Sequence, residues 1–113
     1  MKFVGNRSFL LLKPKKPFVD WVNNYDDSII PEDNIYSTRT LYMIEEFDDV
    51  SPGGVVKHLK KVYKDIFIHE LWSWYMDENY LPKNISYEMF DEWFEYEFIE
   101  MCFDTLKSKI QLE

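Results

Sequence analysis

Short apolar runs broken by proline make up the first half of this 113-residue chain, and long stretches at helical spacing make up the second. Ser8–Lys13 holds the continuous run Phe9-Leu10-Leu11-Leu12, stopped by Pro14, which fits a strand buried on both faces. Pro17 stands at the first turn of a short helix over Pro17–Tyr25, which places Phe18, Trp21, Val22 and Tyr25 at i, i+3, i+4 and i+7. Polar, acidic Asp26–Asn34 reads as a loop. Thr38–Ile44 then reads as a second strand, rich in residues that suit a pleated surface. Strand, helix and strand over about 36 residues predict a β-α-β crossover and so a parallel pair.

Helical periodicity runs from Val55 to about Met76 and again from Tyr87 to about Lys109, with Asn84 or Ser86 as N-cap of the second stretch. The short loop Asn79–Asn84 makes these two helices antiparallel neighbours. The predicted fold is therefore one α+β domain over residues 1–113, a small β-α-β unit packed on a long antiparallel helical hairpin. On a helical projection Val56, Leu59, Val62, Tyr63, Ile66, Phe67 and Trp74 share the inner sector of the first helix, with Glu70 among them. Lys57, Lys60, Lys61 and Lys64 lie opposite, and one turn later that outer face becomes Ile68, Leu71, Trp72 and Tyr75. Tyr87, Phe90, Trp93, Phe94, Phe98 and Met101 line the inner face of the second, around Glu97. Its outer face passes from Glu88, Asp91, Glu92 and Glu95 to Ile99, Cys102, Phe103 and Leu106. A helix apolar on both sides is buried on both sides. The extra surface either packs under the β-α-β unit or faces a partner through Trp72, Tyr75, Phe103 and Leu106.

Composition sharpens that choice. The chain carries 9 Phe, 8 Tyr and 4 Trp, and aromatic side chains bury roughly 150–250 Å² each, more than a small core readily hides. With 13 basic and 21 acidic side chains the net charge is −8, which excludes the usual phosphate-neutralising nucleic-acid reader. Charge is segregated: residues 1–16 hold five basic and no acidic side chains, whereas acids concentrate at Asp26–Asp27, Glu45–Asp49 and Glu88–Glu95. Each acidic cluster is a candidate contact for a basic partner, or simply a solvated face. A single cysteine, Cys102, forms no internal disulfide. No apolar run has the length of an export signal or membrane span, so the expected location is the cytoplasm.

Catalytic constellations are scarce. Glu70 and Glu97 in apolar sectors, with Asp104 beyond, suggest general acid–base work or a metal held between facing helices. Alternatively each meets Arg39, a lysine or an aromatic donor and fixes helix register. The Glu-x-x-His spacing of bundle metal sites is absent. His58 and His69 stand about 16 Å apart along a helix at 1.5 Å per residue, too far for one metal ion. Cys102 lies in an apolar stretch without a basic neighbour, and Gly53-Gly54 lacks the Lys-Ser/Thr of a phosphate loop. No cofactor and no metal are expected.

Three stretches read together carry a resemblance: Asn6–Asn23 with its Pro14-Lys15-Lys16-Pro17-Phe18-Val19-Asp20-Trp21 turn, Tyr42–Phe47, and Leu81–Asn84 with Met89–Phe94 and Glu97-Phe98. The chain resembles a family of short acidic bacterial proteins with an R-P-K-x-P-F-x-D-W-like turn after the first strand, although Ile99 stands where those proteins often carry histidine. The resemblance implies a bacterial cytoplasmic setting and transfers no catalytic residue. The leading functional expectation is a non-enzymatic interaction protein, an inhibitor or immunity-type binder of a basic protein, with Trp72 or Trp93 as anchor. A homodimer that sets the lysine stripe of one copy against the acidic stripe of the other is a second form of it. A small enzyme or ligand-binding domain using Glu70, Glu97 and Asp104 near an aromatic pocket is the alternative.

Overall fold

The computed structural model describes residues 1–24 and 30–113. Strand β1 (Lys2–Phe3) precedes β2 (Ser8–Pro14), then helices α1 (Lys16–Asn24) and α2 (Glu32–Tyr36) lead to β3 (Thr40–Ile44). Helix α3 (Pro52–Trp72), a 3-10 turn (Glu78–Tyr80), α4 (Tyr87–Trp93), β4 (Phe94–Ile99) and β5 (Phe103–Asp104) complete the chain. The fold is mixed α+β, as the patterning predicts, but its strands are all antiparallel. One sheet has the order β3-β2-β4 and the second is the ribbon β1-β5.

Two expectations are corrected. The first is the parallel pair. Leu12 near the end of β2 pairs with Thr40 at the start of β3, so the chain re-enters the sheet at the end it left. Among its described residues the connection holds two short helices, with α2 folded back against both α1 and β2. The second correction is the helical hairpin. Helix α4 spans seven residues and gives way at Phe94 to β4, which pairs along β2 from Phe9↔Ile99 to Pro14↔Phe94. Phe94-Glu95-Tyr96-Glu97-Phe98 alternates aromatic and acid at period two, and aromatic residues suit a pleated surface. Once β2 offers a partner edge, that alternation buries Phe94 and turns Glu95 and Glu97 outward.

Capping chemistry sets the helix starts. Ser51 accepts from the Gly54 amide at 3.2 Å with Pro52 opening α3, and Ser86 accepts from the Met89 amide at 3.2 Å to start α4. A Cβ on Gly54 would collide with the Asp49 carbonyl, so only glycine fits there. Asn84 turns the chain before α4 with φ 58°, a left-handed conformation asparagine tolerates better than most side chains.

Helices α1 to α4 pack on one face of the sheet. Leu10 and Leu12 of β2, Ile44 of β3 and Phe94 of β4 meet Phe18 and Val22 of α1, Leu59, Phe67 and Leu71 of α3, and Phe90 of α4. Phe67 stands perpendicular to Phe94 at 5.3 Å and lies 6.0 Å from Phe90, while Phe18 lies 5.0 Å from Phe94. Burying each such ring stabilises by roughly 1.5–3 kcal/mol. Trp21 donates its indole N–H to the Tyr80 carbonyl at 2.9 Å, tying α1 to the 3-10 turn. The opposite face of the sheet carries no helix among the described residues.

Candidate functional site

Glu70 projects from α3 toward the inner face of β3 and is buried. Its Oε2 accepts from Thr40 Oγ1 at 3.4 Å, and the neighbouring Tyr42 hydroxyl meets His69 Nδ1 at 2.9 Å. Burial pushes the Glu70 carboxyl above its ordinary value, opposed by the hydroxyls of Thr40 and Tyr42 and the charge of His69. Burial, then the Glu70 charge and its hydrogen bond, push the Tyr42 phenol well above its usual value. The cluster clamps α3 onto the edge strand. Arg39 forms no part of it, and Thr40 and Tyr42 are the members that helix-face reasoning on Glu70 misses. Their i, i+2 spacing on a predicted strand is the signal that places both on one face.

Glu97 lies elsewhere. Leu12 pairs with Thr40, and its neighbour Leu11 pairs with Glu97; successive residues of a strand face opposite sides, so Glu97 and the Glu70 cluster occupy opposite faces of the sheet. There Glu97 pairs with Lys13 Nζ at 3.3 Å and stays exposed. Asp104 belongs to the β1-β5 ribbon, where its Oδ1 accepts from the Leu106 amide at 2.9 Å. The three carboxylates do not converge.

The aromatic patch is dispersed in the same way, because the second long helix that would have aligned it is absent. Tyr75 is half-buried and turned inward: its hydroxyl donates to the Val22 carbonyl, and its ring meets Trp21 at 5.4 Å and Tyr80 at 5.6 Å. Trp93 packs inward as well, 5.4 Å from Phe67. Trp72 is 41% exposed at the end of α3, in a depression of about 240 Å³ shared with His69, Ser73 and Met76. Phe103 rests on Phe3 at 5.4 Å in the ribbon, and Leu106 is exposed beyond it. The acidic residues fare differently. Glu88, Asp91 and Glu92 are exposed on α4, and Glu95 and Glu97 continue them onto β4. The Glu45–Asp49 cluster follows β3, with Glu45, Glu46, Asp48 and Asp49 all exposed. Asp26 and Asp27 lie outside the described residues. Lysines 57, 60, 61 and 64 are exposed on α3, and Lys60 sits 5.5 Å over the Tyr87 ring at the start of α4, so the lysine and acid stripes are neighbours on one subunit.

A surface that periodicity of the helices does not reveal lies on the other side of the sheet. Cross-strand register sets Met43, Phe9 and Ile99 in one row and Leu41, Leu11 and Glu97 in the next. Phe9 is fully buried yet lies outside the main core, whereas Leu41 and Met43 are each about half exposed and Ile99 is 36% exposed. This outer face, with Glu95 and Glu97 along its β4 side, therefore carries exposed apolar surface at Leu41, Met43 and Ile99 that the helices leave uncovered.

His58 stacks on Phe47 at 4.3 Å beside Lys57, Lys61 and Asp49, and its Nε2 is buried without a hydrogen-bond partner. Hydrogen bonds from Ser51 hold the Asp49 carboxyl below its ordinary value. Cys102 is a half-buried free thiol. Among the described residues no three His, Cys, Asp or Glu side chains are grouped to hold a metal ion, and no helix is long and apolar enough to cross a membrane. No protein-family model, curated protein or solved structure matches the chain.

Proposed function

We propose that this chain is a non-enzymatic protein-interaction domain that binds a basic partner protein, in the manner of an inhibitor or immunity factor. The observation that carries the reading is the uncovered outer face of the sheet, where Leu11, Leu41, Met43 and Ile99 surround buried Phe9. Glu95 and Glu97 border this face and Glu88, Asp91 and Glu92 extend the acidic margin along α4. Apolar contact at the centre supplies affinity, and the acidic border steers a basic partner into place. The separation of Glu70, Glu97 and Asp104 onto different parts of the fold favours binding over catalysis by those carboxylates.

The test starts from affinity capture with the full chain as bait, followed by purification of whatever partner is retained. The expected partner is basic and binds the isolated chain directly. A Leu41→Glu/Met43→Glu variant should lose that binding while keeping its circular-dichroism spectrum. A captured partner that binds this folded variant as tightly as the parent overturns the reading.

A further inference from the structure

We propose that the free edge of β3 pairs antiparallel with β3 of a second copy of this chain, joining two three-stranded sheets into one of six strands about a twofold axis at Tyr42. Such a dimer forms without any other protein.

Among the described residues β3 hydrogen-bonds to β2 alone, so its other edge is a row of unpaired backbone groups. Edge strands are ordinarily guarded by charge, proline or a bulge. The β4 edge strand is guarded in this way, since it carries the exposed charges of Glu95 and Glu97. The β3 sequence Thr-Leu-Tyr-Met-Ile has no charge, proline or glycine. Charge appears only at its two ends, and with opposite sign: exposed Arg39 precedes Thr40, and exposed Glu45 follows Ile44.

Geometry then selects one register. Residues directly opposite in an antiparallel pair point to the same side, so with the twofold axis perpendicular to the sheet only registers centred on a residue keep both apolar faces on one side. Centring on Tyr42 pairs all five strand residues, Thr40 with Ile44 and Leu41 with Met43. It also sets Arg39 of each copy opposite Glu45 of the other. Centring on Leu41 shortens the ladder to three residues and brings Arg39 opposite Met43; centring on Met43 brings Glu45 opposite Leu41. The strand is thus self-complementary in pattern and in charge in one register. Arg39 makes no ion pair within its own subunit among the described residues, which leaves it available. On the helix side Tyr42 contacts His69, and His69 shares its depression with exposed Trp72 and Met76, so apolar surface flanks the edge there too. Pairing also joins the outer faces of the two copies into one continuous apolar surface.

Sedimentation equilibrium of the full chain, from dilute to near-millimolar protein, tests the pairing. The expected result is a reversible monomer–dimer equilibrium from the 13.8 kDa chain. Arg39→Glu puts two glutamates face to face at both ends of the ladder and should weaken the dimer about tenfold or more. Glu45→Arg should do the same, and the double exchange Arg39→Glu/Glu45→Arg should restore the parent dimer. Both positions are exposed, so each variant should keep the parent melting temperature when both are measured dilute, where the parent too is monomeric. Monomer alone at every concentration, or a dimer indifferent to the single exchanges, overturns the proposal. So does failure of the double exchange to rescue. None of these failures touches capture of a basic partner by the chain; because Leu41→Glu/Met43→Glu also sets glutamates opposite one another in the ladder, partner binding by the Arg39→Glu variant, whose outer face is intact, separates the two readings.

Discussion

Glu70 is the residue whose environment works against its charge. Its folded-state titration lies above the ordinary value of 4.5, chiefly because burial penalises the anion. Its contribution to stability is therefore complete below about that value and declines as pH rises through the folded-state one, since the unfolded chain ionises first. Glu70→Gln keeps an acceptor for Thr40 and removes the titration. Urea denaturation at a series of pH values should find the variant more stable than the parent at neutral pH. That advantage should vanish in acid, and an advantage constant across pH would contradict the account. Gly54 makes a steric prediction of similar locality. A methyl group there meets the Asp49 carbonyl, so Gly54→Ala must displace the turn that caps α3 and should cost about 1–3 kcal/mol. The same denaturation assay reads it.

Among elements, α4 is the one with least length to lose. Seven residues nucleate poorly alone, so its start depends on Ser86 accepting from the Met89 amide. Ser86→Ala should lower global stability by about 0.5–2 kcal/mol in urea unfolding, because Phe90 and the α4–β4 junction share one core with β2. The junction itself shows how far sequence reaches. Helix α3 was legible from Val55 onward because its residues repeat at one helical period, but its Ser51-Pro52 start, three residues earlier, was not. β2 and β3 were legible as strands from their short runs of residues that suit a pleated surface. β4 was not, because Tyr87–Phe98 satisfies two templates: Phe90, Trp93 and Phe94 fit a helix face, while Phe94, Tyr96 and Phe98 fit a strand. Only the edge of β2, remote in sequence, decides between them. Strand direction was hidden for a related reason, as nothing local to α1 tells whether the chain crosses the sheet or turns back. Of the candidate site, the acidic stripe was visible beforehand, whereas helix faces left open whether Trp72 packs under the sheet or faces outward; it is 41% exposed. The outer sheet face was not, since it exists only when three separated segments are set in register.

For the whole molecule, the important arrangement is that the apolar outer face gives way on its β4 side to acidic residues, with Lys13 paired to Glu97 where the two meet. β2 lies at the centre of the sheet, so its outward Phe9 and Leu11 are flanked by Leu41 and Met43 on one side and by Ile99 and Glu97 on the other. The acids of α4 run on directly into those of β4. These two surfaces should act on different steps of binding. Long-range attraction accelerates encounter and is screened over roughly 8–10 Å at ordinary salt, whereas apolar contact acts only after docking and sets dissociation. Measured by stopped flow against the captured basic partner, a Glu88→Lys/Asp91→Lys/Glu92→Lys variant should associate at least about tenfold more slowly at low salt, with dissociation little changed. Met43→Ala/Ile99→Ala should do the reverse, leaving association near the parent rate and speeding dissociation about tenfold or more. Added salt should slow association of the parent toward that of the lysine variant. If instead the lysine substitutions alter dissociation alone, the acids make docked contacts and the steering role assigned to α4 is wrong.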